Sequence, residues 1–351
     1  MRFRSCNFIV LLNSSSLVCG ILLLAMCSFN GCDPINRTTR SAPGGSGPLR
    51  VIATTSMVGD LVRHVAGSRA DVTNLMGEGI DPHLYRPTSR DLGLMMQADL
   101  IFYSGLGLEG AMQAAFERVE KQGKTVVPVT RGLPEEKLIF SKRFAGHPDP
   151  HVWNDVSLWA ECLREVETVL ASQLPDHAAE FAQNAEQYRT ELEALDNYAH
   201  QALSSVPERT RVLVTAHDAF SYFSRTYHLE EKSVQGITTE SEPGVQDINQ
   251  LVDFLAKTHV PALFVEATVN SENLHAVLEG TRQRGWTVRI GGMLYSDSMG
   301  RPGTYEGTYL GMIDHNVTTI TRALGGTAPE RGYQGKLTVT EPTIRTPSSA
   351  P

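Results

Sequence analysis

Residues 175–206, PDHAAEFAQNAEQYRTELEALDNYAHQALSSV, carry one continuous helical pattern. Pro175 suits the first turn of a helix, where its missing N–H is not needed. Apolar side chains then recur at the three- and four-residue spacing of one helix face: Phe181, Ala185, Tyr188, Leu192, Leu195, Tyr198 and Ala202. At about 1.5 Å per residue the helix would be roughly 45 Å long. A coiled-coil arm is one interpretation, and a rigid strut between two lobes is the other.

The segments on both sides of this helix alternate between strand-like and helical patterns. Before it, strands are predicted at 49–55, 72–75, 100–103 and 125–129. After it, strands are predicted at 211–215, 233–235, 262–266 and 287–290, and helices at 219–227, 245–258, 271–284 and 309–324. This alternation is typical of parallel sheets covered by helices. The predicted fold class is therefore α/β, with two parallel-sheet lobes joined by one long rigid helix.

The chain divides into segments of different character, and its 351 residues are enough for two domains. We predict a signal peptide at 1–32, a flexible tether at 33–48, an N-terminal lobe at 49–174, a linking helix at 175–206, a C-terminal lobe at 207–326 and a disordered tail at 327–351. The tether and the tail are rich in Pro, Gly, Ser and Thr and lack the apolar residues that form a core.

The N-terminus has the pattern of an export signal. Arg2 and Arg4 precede an apolar run that is interrupted by NSSS at 13–16 and resumes at 17–26. A charged start followed by a short apolar stretch is typical of a secretory signal. The resumed run is shorter than the roughly 20 apolar residues of a membrane span. An uncleaved anchor stays open as the alternative.

The segment SFNGC at 28–32 resembles a bacterial lipobox, in which the cysteine is lipidated. Phe29 and Asn30 depart from the aliphatic and small residues usual at those places, so ordinary cleavage near Gly31 is the alternative. Lipid on Cys32 would anchor the protein to a bacterial membrane, in the periplasm or at the cell surface. Outside the leader the chain has one cysteine, Cys162, so the sequence predicts no disulfide framework.

The charge pattern argues against one class of partner. The formal net charge is -8, without long runs of one sign. Proteins that bind nucleic acid usually present a basic face. The sequence therefore predicts no nucleic-acid partner.

Four potential metal ligands lie where strands end or loops begin: in GIDPHLYRP at 79–87, PDPHVWND at 148–155, VTAHDAF at 214–220 and LYSDSMG at 294–300. Ligands of open α/β sheets bind beyond the carboxyl ends of the strands, and His217 and Asp297 follow predicted strands. His83 and His151 lie in Asp-Pro-His turns, which proline stiffens. Three imidazoles and one carboxylate suit a borderline divalent ion, bound between the lobes. Spacing alone leaves ordinary structural histidines equally possible.

The chain from 49 to 324 resembles the metal-specific solute-binding proteins of ABC transporters, a TroA-like or ZnuA-like family. The resemblance rests on the stretches 79–87, 98–103, 105–110, 149–153, 215–223, 265–266, 294–300 and 307–309. It implies two α/β lobes joined by one long helix, with the metal site in the cleft between them. By motif match, it implies the ligands His83, His151, His217 and Asp297. Glu266 ends a predicted strand and is a candidate auxiliary carboxylate.

The resemblance also implies a function. The protein would be a monomeric, extracytoplasmic substrate-binding component of an ABC importer, and not an enzyme. It would carry one divalent ion, Zn²⁺ or Mn²⁺, to a membrane permease that works with a cytoplasmic ATPase. A surface adhesin, a periplasmic zinc chaperone and a secreted zinc hydrolase are the alternatives. A catalytic zinc keeps an open position for water, which four protein ligands would close.

Two features of the sequence favour different metals. Zinc lies well above manganese in intrinsic affinity for a set of imidazole and carboxylate ligands. Zinc-specific members of the family, however, often carry a long loop rich in His and acidic residues between the first two ligands. The corresponding stretch at 131–148 is short and has one histidine, His147. The sequence therefore predicts manganese or zinc as the cargo without choosing between them.

Overall fold

The N-terminal half folds around one parallel sheet in the computed structural model, which describes residues 47–141, 144 and 146–338. Its strands are β1 (Leu49–Ala53), β2 (Ala70–Asn74), β3 (Leu100–Tyr103) and β4 (Thr125–Pro128), paired in the order β2-β1-β3-β4. The helices between them are α1 (Ser56–Ala66), α2 (Ser89–Gln97) and α3 (Gln113–Glu120). Val51 of β1 lies opposite Val72 on one side and Leu100 on the other. The predicted parallel α/β architecture is confirmed in this half.

The long helix is present and buries the apolar stripe that the sequence predicts. Two shorter helices precede it, α4 (Val156–Glu161) and α5 (Leu163–Gln173). A 3₁₀ turn at Pro175–His177 then leads into α6 (Ala178–Ser204), which has 27 residues. Its buried face is the predicted set from Phe181 to Ala202, joined by Ala199 and Leu203. Burying a large apolar side chain contributes about 1.5–3 kcal/mol, so this stripe fixes the helix firmly.

The C-terminal half contains strands β5 (Val212–His217), β6 (Glu230–Gln235), β7 (Ala262–Glu266) and β8 (Arg289–Leu294). Its helices are α7 (Ser221–Tyr227), α8 (Val245–Thr258), α9 (Glu272–Gln283) and α10 (Tyr309–Ala323). The strands form two parallel pairs, β5 with β6 and β7 with β8, and β5 lies beside β7. This half is also α/β, but its sheet is less continuous than the first one.

Strand β8 runs four residues beyond the predicted strand at 287–290. The prediction ended early because two glycines interrupt the apolar pattern of the strand. Glycine is depleted in strands and often marks a close approach of neighbouring groups. A Cβ atom on Gly291 would lie 2.7 Å from the Phe264 ring, and one on Gly292 would lie 2.5 Å from Thr319. The glycines therefore let β8 pass between β7 and α10.

One hydrophobic core runs through both halves. It contains Phe102 of β3, Leu192 of α6 and Phe264 of β7, together with many of their neighbours. Helix α6 packs against α1, α4 and α5 of the N-terminal half and against α10 of the C-terminal half. Cys162 lies in this core, where burial raises the pKa of its thiol. The two lobes therefore share one packed interior at the level of the long helix.

The chain does not leave the folded body at residue 326. Leu337 is 3% exposed, and the Tyr333 ring lies 5.2 Å from the Tyr198 ring. The backbone N–H of Tyr333 donates to the Asp314 carboxylate at 2.8 Å. The prediction of a disordered tail from 327 onwards is wrong for 327–338, because Asp314 of α10 anchors this segment.

The remaining predictions at the ends of the chain fall outside the described residues. These are the tail at 339–351, the signal peptide at 1–32, Cys32 and nearly all of the tether at 33–48. Among the residues that the structure does describe, no helix is both long and apolar enough to span a membrane.

Candidate metal centre

The four predicted ligands meet at one point between the lobes. Each of His83, His151, His217 and Asp297 offers a ligand atom, and these atoms all lie within 4.8 Å of one another. All four residues are buried, with exposed fractions between 0% and 4%. Within the part of the chain that the structure describes, this is the only cluster of such side chains that could hold a metal ion.

The distances between these atoms suit a small central cation. Nε2 of His83 lies 3.2 Å from Nε2 of His151. The Asp297 carboxylate lies 3.1 Å from Nε2 of His217, 3.4 Å from that of His151 and 3.8 Å from that of His83. Ligand atoms placed tetrahedrally at about 2.0–2.1 Å from an ion would be roughly 3.3 Å apart. The cluster is close to this spacing before any ion is considered.

Several of the ligand atoms have no hydrogen-bond partner. Both carboxylate oxygens of Asp297 and the Nε2 atom of His217 are buried and unpartnered among the described residues. Burying a charged group without a partner is costly, so buried charges are normally paired or coordinate metals. Nε2 of His217 lies only 3.1 Å from Oδ2 of Asp297, so either a proton on His217 or a cation between these atoms would supply the missing partner. The donor set of three imidazoles and one carboxylate favours the cation.

Both histidines of the N-terminal lobe are presented by the same local turn. His83 lies in the loop after β2, and His151 in the loop after β4. In each case the preceding aspartate bonds the backbone N–H two residues on: Asp81 Oδ1 accepts from His83 at 2.8 Å, and Asp149 Oδ1 accepts from His151 at 2.9 Å. This is an Asx-turn, which aspartate favours. Proline stiffens the backbone at the middle of each turn.

His217 is the last residue of β5, and Glu266 at the end of β7 holds it in place. Oε2 of Glu266 lies 2.6 Å from Nδ1 of His217. Its other oxygen accepts the backbone N–H groups of Ala216 and His217, at 2.6 and 2.9 Å. Glu266 thus joins the ends of two strands and orients the imidazole. A carboxylate behind a ligating histidine fixes its tautomer and raises its basicity.

Asp297 lies in the loop after β8, which contacts both lobes. Asn316 of α10 bonds both the N–H and the C=O of Tyr295, at 2.9 and 2.7 Å. On the other side, Met299 donates its N–H to Ser56 Oγ of α1 at 3.1 Å. The carboxylate is therefore fixed from the lobe that carries it and from the lobe that faces it.

Buried hydrogen bonds close the site from behind, along a surface that we call the rear seam. They run from Trp153 Nε1 to Ser296 O at 2.7 Å, from Asn154 Nδ2 to Ala219 O at 2.8 Å, and from Tyr222 OH to Asp149 O at 2.9 Å. Each crosses from one lobe to the other. The Trp153 ring also lies 5.3 Å from the His151 ring. The seam thus joins the lobes directly behind His151.

The protonation states of the cluster differ from residue to residue. Burial lowers the pKa of His83 to about 3, so this imidazole is neutral near neutral pH and keeps a lone pair free. Burial also opposes a charge on His217, but Glu266 and Asp297 outweigh it and raise the pKa of His217 well above its ordinary value. For Asp297, the imidazoles outweigh burial and lower the pKa of the carboxyl below its usual range. A cation bound here would compete with a proton on His217.

The structure brings together all four residues that the sequence singles out, and it gives a different place to the fifth. Glu266 is not part of the ligand cluster but contacts the far side of the His217 ring. Asp149 has the matching role for His151, since its Oδ1 lies 2.7 Å from Nδ1 of that ring, and this role was not predicted from the sequence. The repeated Asp-Pro-His turn signals only the bond to the backbone N–H, because Asp81 in the same turn bonds Thr239 and not the His83 ring.

Comparisons with known proteins agree with this geometry. Residues 51–323 match the family described as ZnuA, zinc-uptake complex component A, periplasmic. The chain is 41% identical to the manganese-binding lipoprotein MntA of Bacillus subtilis over 306 residues, which are 86% of this chain and 97% of MntA. It is 30% identical to the metal ABC transporter substrate-binding lipoprotein SsaB of Streptococcus sanguinis over 309 residues, 87% of this chain and 97% of SsaB.

The fold has close counterparts among solved structures. The periplasmic zinc-binding protein TroA from Treponema pallidum superposes with a TM-score of 0.76 and is 41% identical. The superposition covers 79% of this chain and 99% of TroA. The arrangement of two α/β lobes around one long helix is therefore shared with TroA.

Proposed function

We propose, since the chain belongs to the family of ZnuA-type periplasmic zinc-uptake components, that it is the substrate-binding component of an ABC importer for a divalent transition metal. It captures the ion outside the cytoplasm and delivers it to the membrane permease, which works with a cytoplasmic ATPase. The names of MntA and SsaB as metal-binding and metal-transporter lipoproteins support this role. An ATPase and a multi-span permease encoded beside this chain would support it further.

The observation that carries the proposal is the buried group of unpartnered ligand atoms. Asp297 has two such oxygens and His217 has one such nitrogen. A divalent ion between them would satisfy all three at once and would offset the cost of burying the carboxylate. We therefore propose His83, His151, His217 and Asp297 as the ligands of one ion per chain.

Alanine substitutions test the ligand assignment. Each of His83→Ala, His151→Ala, His217→Ala and Asp297→Ala should sharply lower the metal content of the purified protein, measured by mass spectrometry of the metal. His275→Ala is a matched control, because His275 lies within α9, where alanine is favourable, and is exposed. Full binding of one ion by the double variant His83→Ala/His217→Ala would refute the assignment.

Two properties of the site bear on which ion it binds: the intrinsic affinity of its ligands for each metal and the binding mode of the Asp297 carboxylate. Imidazole and carboxylate ligands bind zinc more tightly than manganese. Both oxygens of Asp297 lack partners, so the carboxylate can bind through one oxygen or through both. One oxygen suits tetrahedral zinc, and two would raise the coordination number towards that preferred by manganese. We expect the purified protein to bind both ions, zinc more tightly.

The physiological cargo needs a test in cells, because the metal available outside the cell decides which ion is loaded. A deletion strain grown in metal-limited medium should recover when manganese or zinc is added. Each metal is scored separately, with the wild-type strain as the reference. Recovery with iron alone would refute manganese or zinc as the cargo.

We further propose that Cys32 carries lipid and that the tether at 33–48 holds a monomeric binding protein above a bacterial membrane. The lipobox-like segment at 28–32 and the names of the lipoprotein relatives support this. Palmitate labelling of the wild type and of Cys32→Ser tests the anchor. Equal labelling of both proteins, or of neither, would refute it, and light scattering of the cleaved body should give the mass of one chain.

A further inference from the structure

The carboxylate of Asp81 has two partners, and they belong to different lobes. Oδ1 accepts the backbone N–H of His83 at 2.8 Å and so shapes the turn that presents this imidazole. Oδ2 accepts a hydrogen bond from Thr239 Oγ1 at 2.5 Å. Thr239 lies in the loop at 236–244, between β6 and α8 of the C-terminal lobe. One side chain therefore connects the His83 turn to the opposite wall of the cleft.

The loop at 236–244 is held so that Thr239 faces Asp81. Gln235, the last residue of β6, is 7% exposed and donates from Nε2 to two carbonyl groups of this loop. These are the carbonyls of Thr239, at 3.1 Å, and of Ser241, at 2.8 Å. The backbone from Thr239 to Ser241 is thus held in place, which lowers the entropy lost when the Thr239 hydroxyl forms its bond.

The bond lies at the open side of the site, not in the interior. Asp81 and Thr239 are half-buried, and their neighbours Ile80 and Glu240 are exposed. A second contact nearby, from the N–H of Gly79 to Ser298 Oγ at 3.1 Å, also joins the two lobes. The rear seam, in contrast, is buried. The contacts that join the lobes at the His83 turn are therefore more exposed than those of the rear seam.

We propose that Asp81 and Thr239 form a latch that holds the His83 turn against the C-terminal lobe and slows release of the bound ion. Asp81 is a positioning residue in this proposal, since it acts through His83 and does not itself bind the ion. The effect on ion release rests on the proposed function. The effect on the motion of the turn does not.

The variant that isolates the latch is Thr239→Val, which keeps the shape of the side chain and removes its hydroxyl. It leaves the bond from Asp81 to the His83 N–H intact. Thr238→Val is the matched control in the same loop, because the Thr238 side chain has no hydrogen bond among the described residues. Asp81→Asn weakens both bonds and serves as the second test variant.

Backbone hydrogen exchange of the metal-free full chain, followed by mass spectrometry, measures the latch without any cargo. In Thr239→Val, amides in the 79–87 and 236–244 segments should exchange faster than in the wild type, by about 3–10-fold for the loss of one partly exposed hydrogen bond. Thr238→Val should match the wild type at 79–87. If Thr239→Val and Thr238→Val exchange alike at 79–87, the latch is refuted.

Release of Zn²⁺ from the loaded protein to excess chelator, followed by stopped flow, measures the consequence. Zinc should leave Thr239→Val about 3–10-fold faster than the wild type, with one ion still bound per chain. The double variant Asp81→Asn/Thr239→Val should release zinc no faster than Asp81→Asn, because both changes break the same contact. If Thr239→Val exchanges faster at 79–87 but neither the wild type nor any variant binds zinc, the latch is supported and the proposed function is refuted. Unchanged release in Thr239→Val would overturn the latch as a brake on the ion.

Discussion

Two Asp-Pro-His turns present candidate ligands, but they differ in what surrounds them. In the turn of His151, Asp149 bonds both the backbone N–H and Nδ1 of the same histidine, and both residues are fully buried. In the turn of His83, Asp81 bonds the backbone N–H and then a threonine of the other lobe. Within the described residues, Nδ1 of His83 has no hydrogen-bond partner. Leu84, the next residue, is 52% exposed.

The difference shows that one local motif can serve two mechanical roles. The aspartate fixes the backbone in both turns, so both histidines are presented in the same way. Only Asp149 also fixes the ring, and the rear seam holds the surrounding backbone. We therefore expect the candidate ligand His151 to stay in place and the candidate ligand His83 to be the one that can move.

The two turns should differ most in how much zinc affinity is lost when their aspartates are replaced by asparagine. Asp149→Asn should weaken zinc affinity about 10–100-fold, because it removes the carboxylate that orients the His151 ring and raises its basicity. Asp81→Asn should weaken affinity by about tenfold or less, since its carboxylate does not contact the His83 ring. Competition with a chromophoric chelator measures both. Equal losses in the two variants would remove the distinction between a stationary and a mobile ligand.

Substitutions of two tryptophans distinguish the effect of a hydrogen bond in the rear seam from that of a hydrogen bond within one lobe. Trp153→Phe removes the bond to Ser296 O across the lobes, and Trp286→Phe removes a 2.9 Å bond to Val260 O within the C-terminal lobe. Both should lower the free energy of unfolding by about 1–3 kcal/mol, because each leaves a carbonyl without its donor. Urea denaturation measures this.

Only Trp153→Phe should also weaken zinc binding, because Ser296 directly precedes Asp297. Trp286→Phe is thus the control for a general loss of stability. A zinc affinity that is unchanged in Trp153→Phe, or lowered equally in both variants, would mean that the seam does not support the site.

The smallest effect should be on the shape of the whole molecule. Helix α6 is continuous, and bending it would break backbone hydrogen bonds. The shared core along α6 also resists separation of the lobes. Small-angle scattering of metal-free and zinc-loaded protein should therefore show little change in radius of gyration. A large change would contradict this, and would place the moving element at the linking helix instead of at the His83 turn.

Much of the fold could be predicted from the sequence because its signals are local. The stripe on α6 has the helical period, and the buried strands of the first sheet are short apolar runs. The predicted strand at 287–290 ended before β8 does, because Gly291 and Gly292 have no side chains that would show a strand pattern. The order at 327–338 depends on Asp314 of α10, which no local pattern in that segment reveals.

The four candidate ligands were predicted, but most of the hydrogen bonds that position them were not. The resemblance to a family identified the histidines and Asp297, and the ends of predicted strands gave an independent reason for His217 and Asp297. The bond between Asp81 and Thr239 joins residues 158 positions apart. It depends on how the two lobes face each other, which no local pattern in either segment reveals. Glu266 was weighed as a ligand, and only the geometry shows that it faces the other side of the ring.

The burial of Cys162 bears on whether the fold is stable in both reducing and oxidising conditions. This residue is the one cysteine between residues 47 and 338, it is 1% exposed, and burial raises the pKa of its thiol. Oxidation and soft-metal capture both proceed through an accessible thiolate, which this residue does not supply. The described body therefore has no disulfide to lose in a reducing medium and no accessible thiol to lose in an oxidising one. Its stability should be the same with and without a thiol reductant.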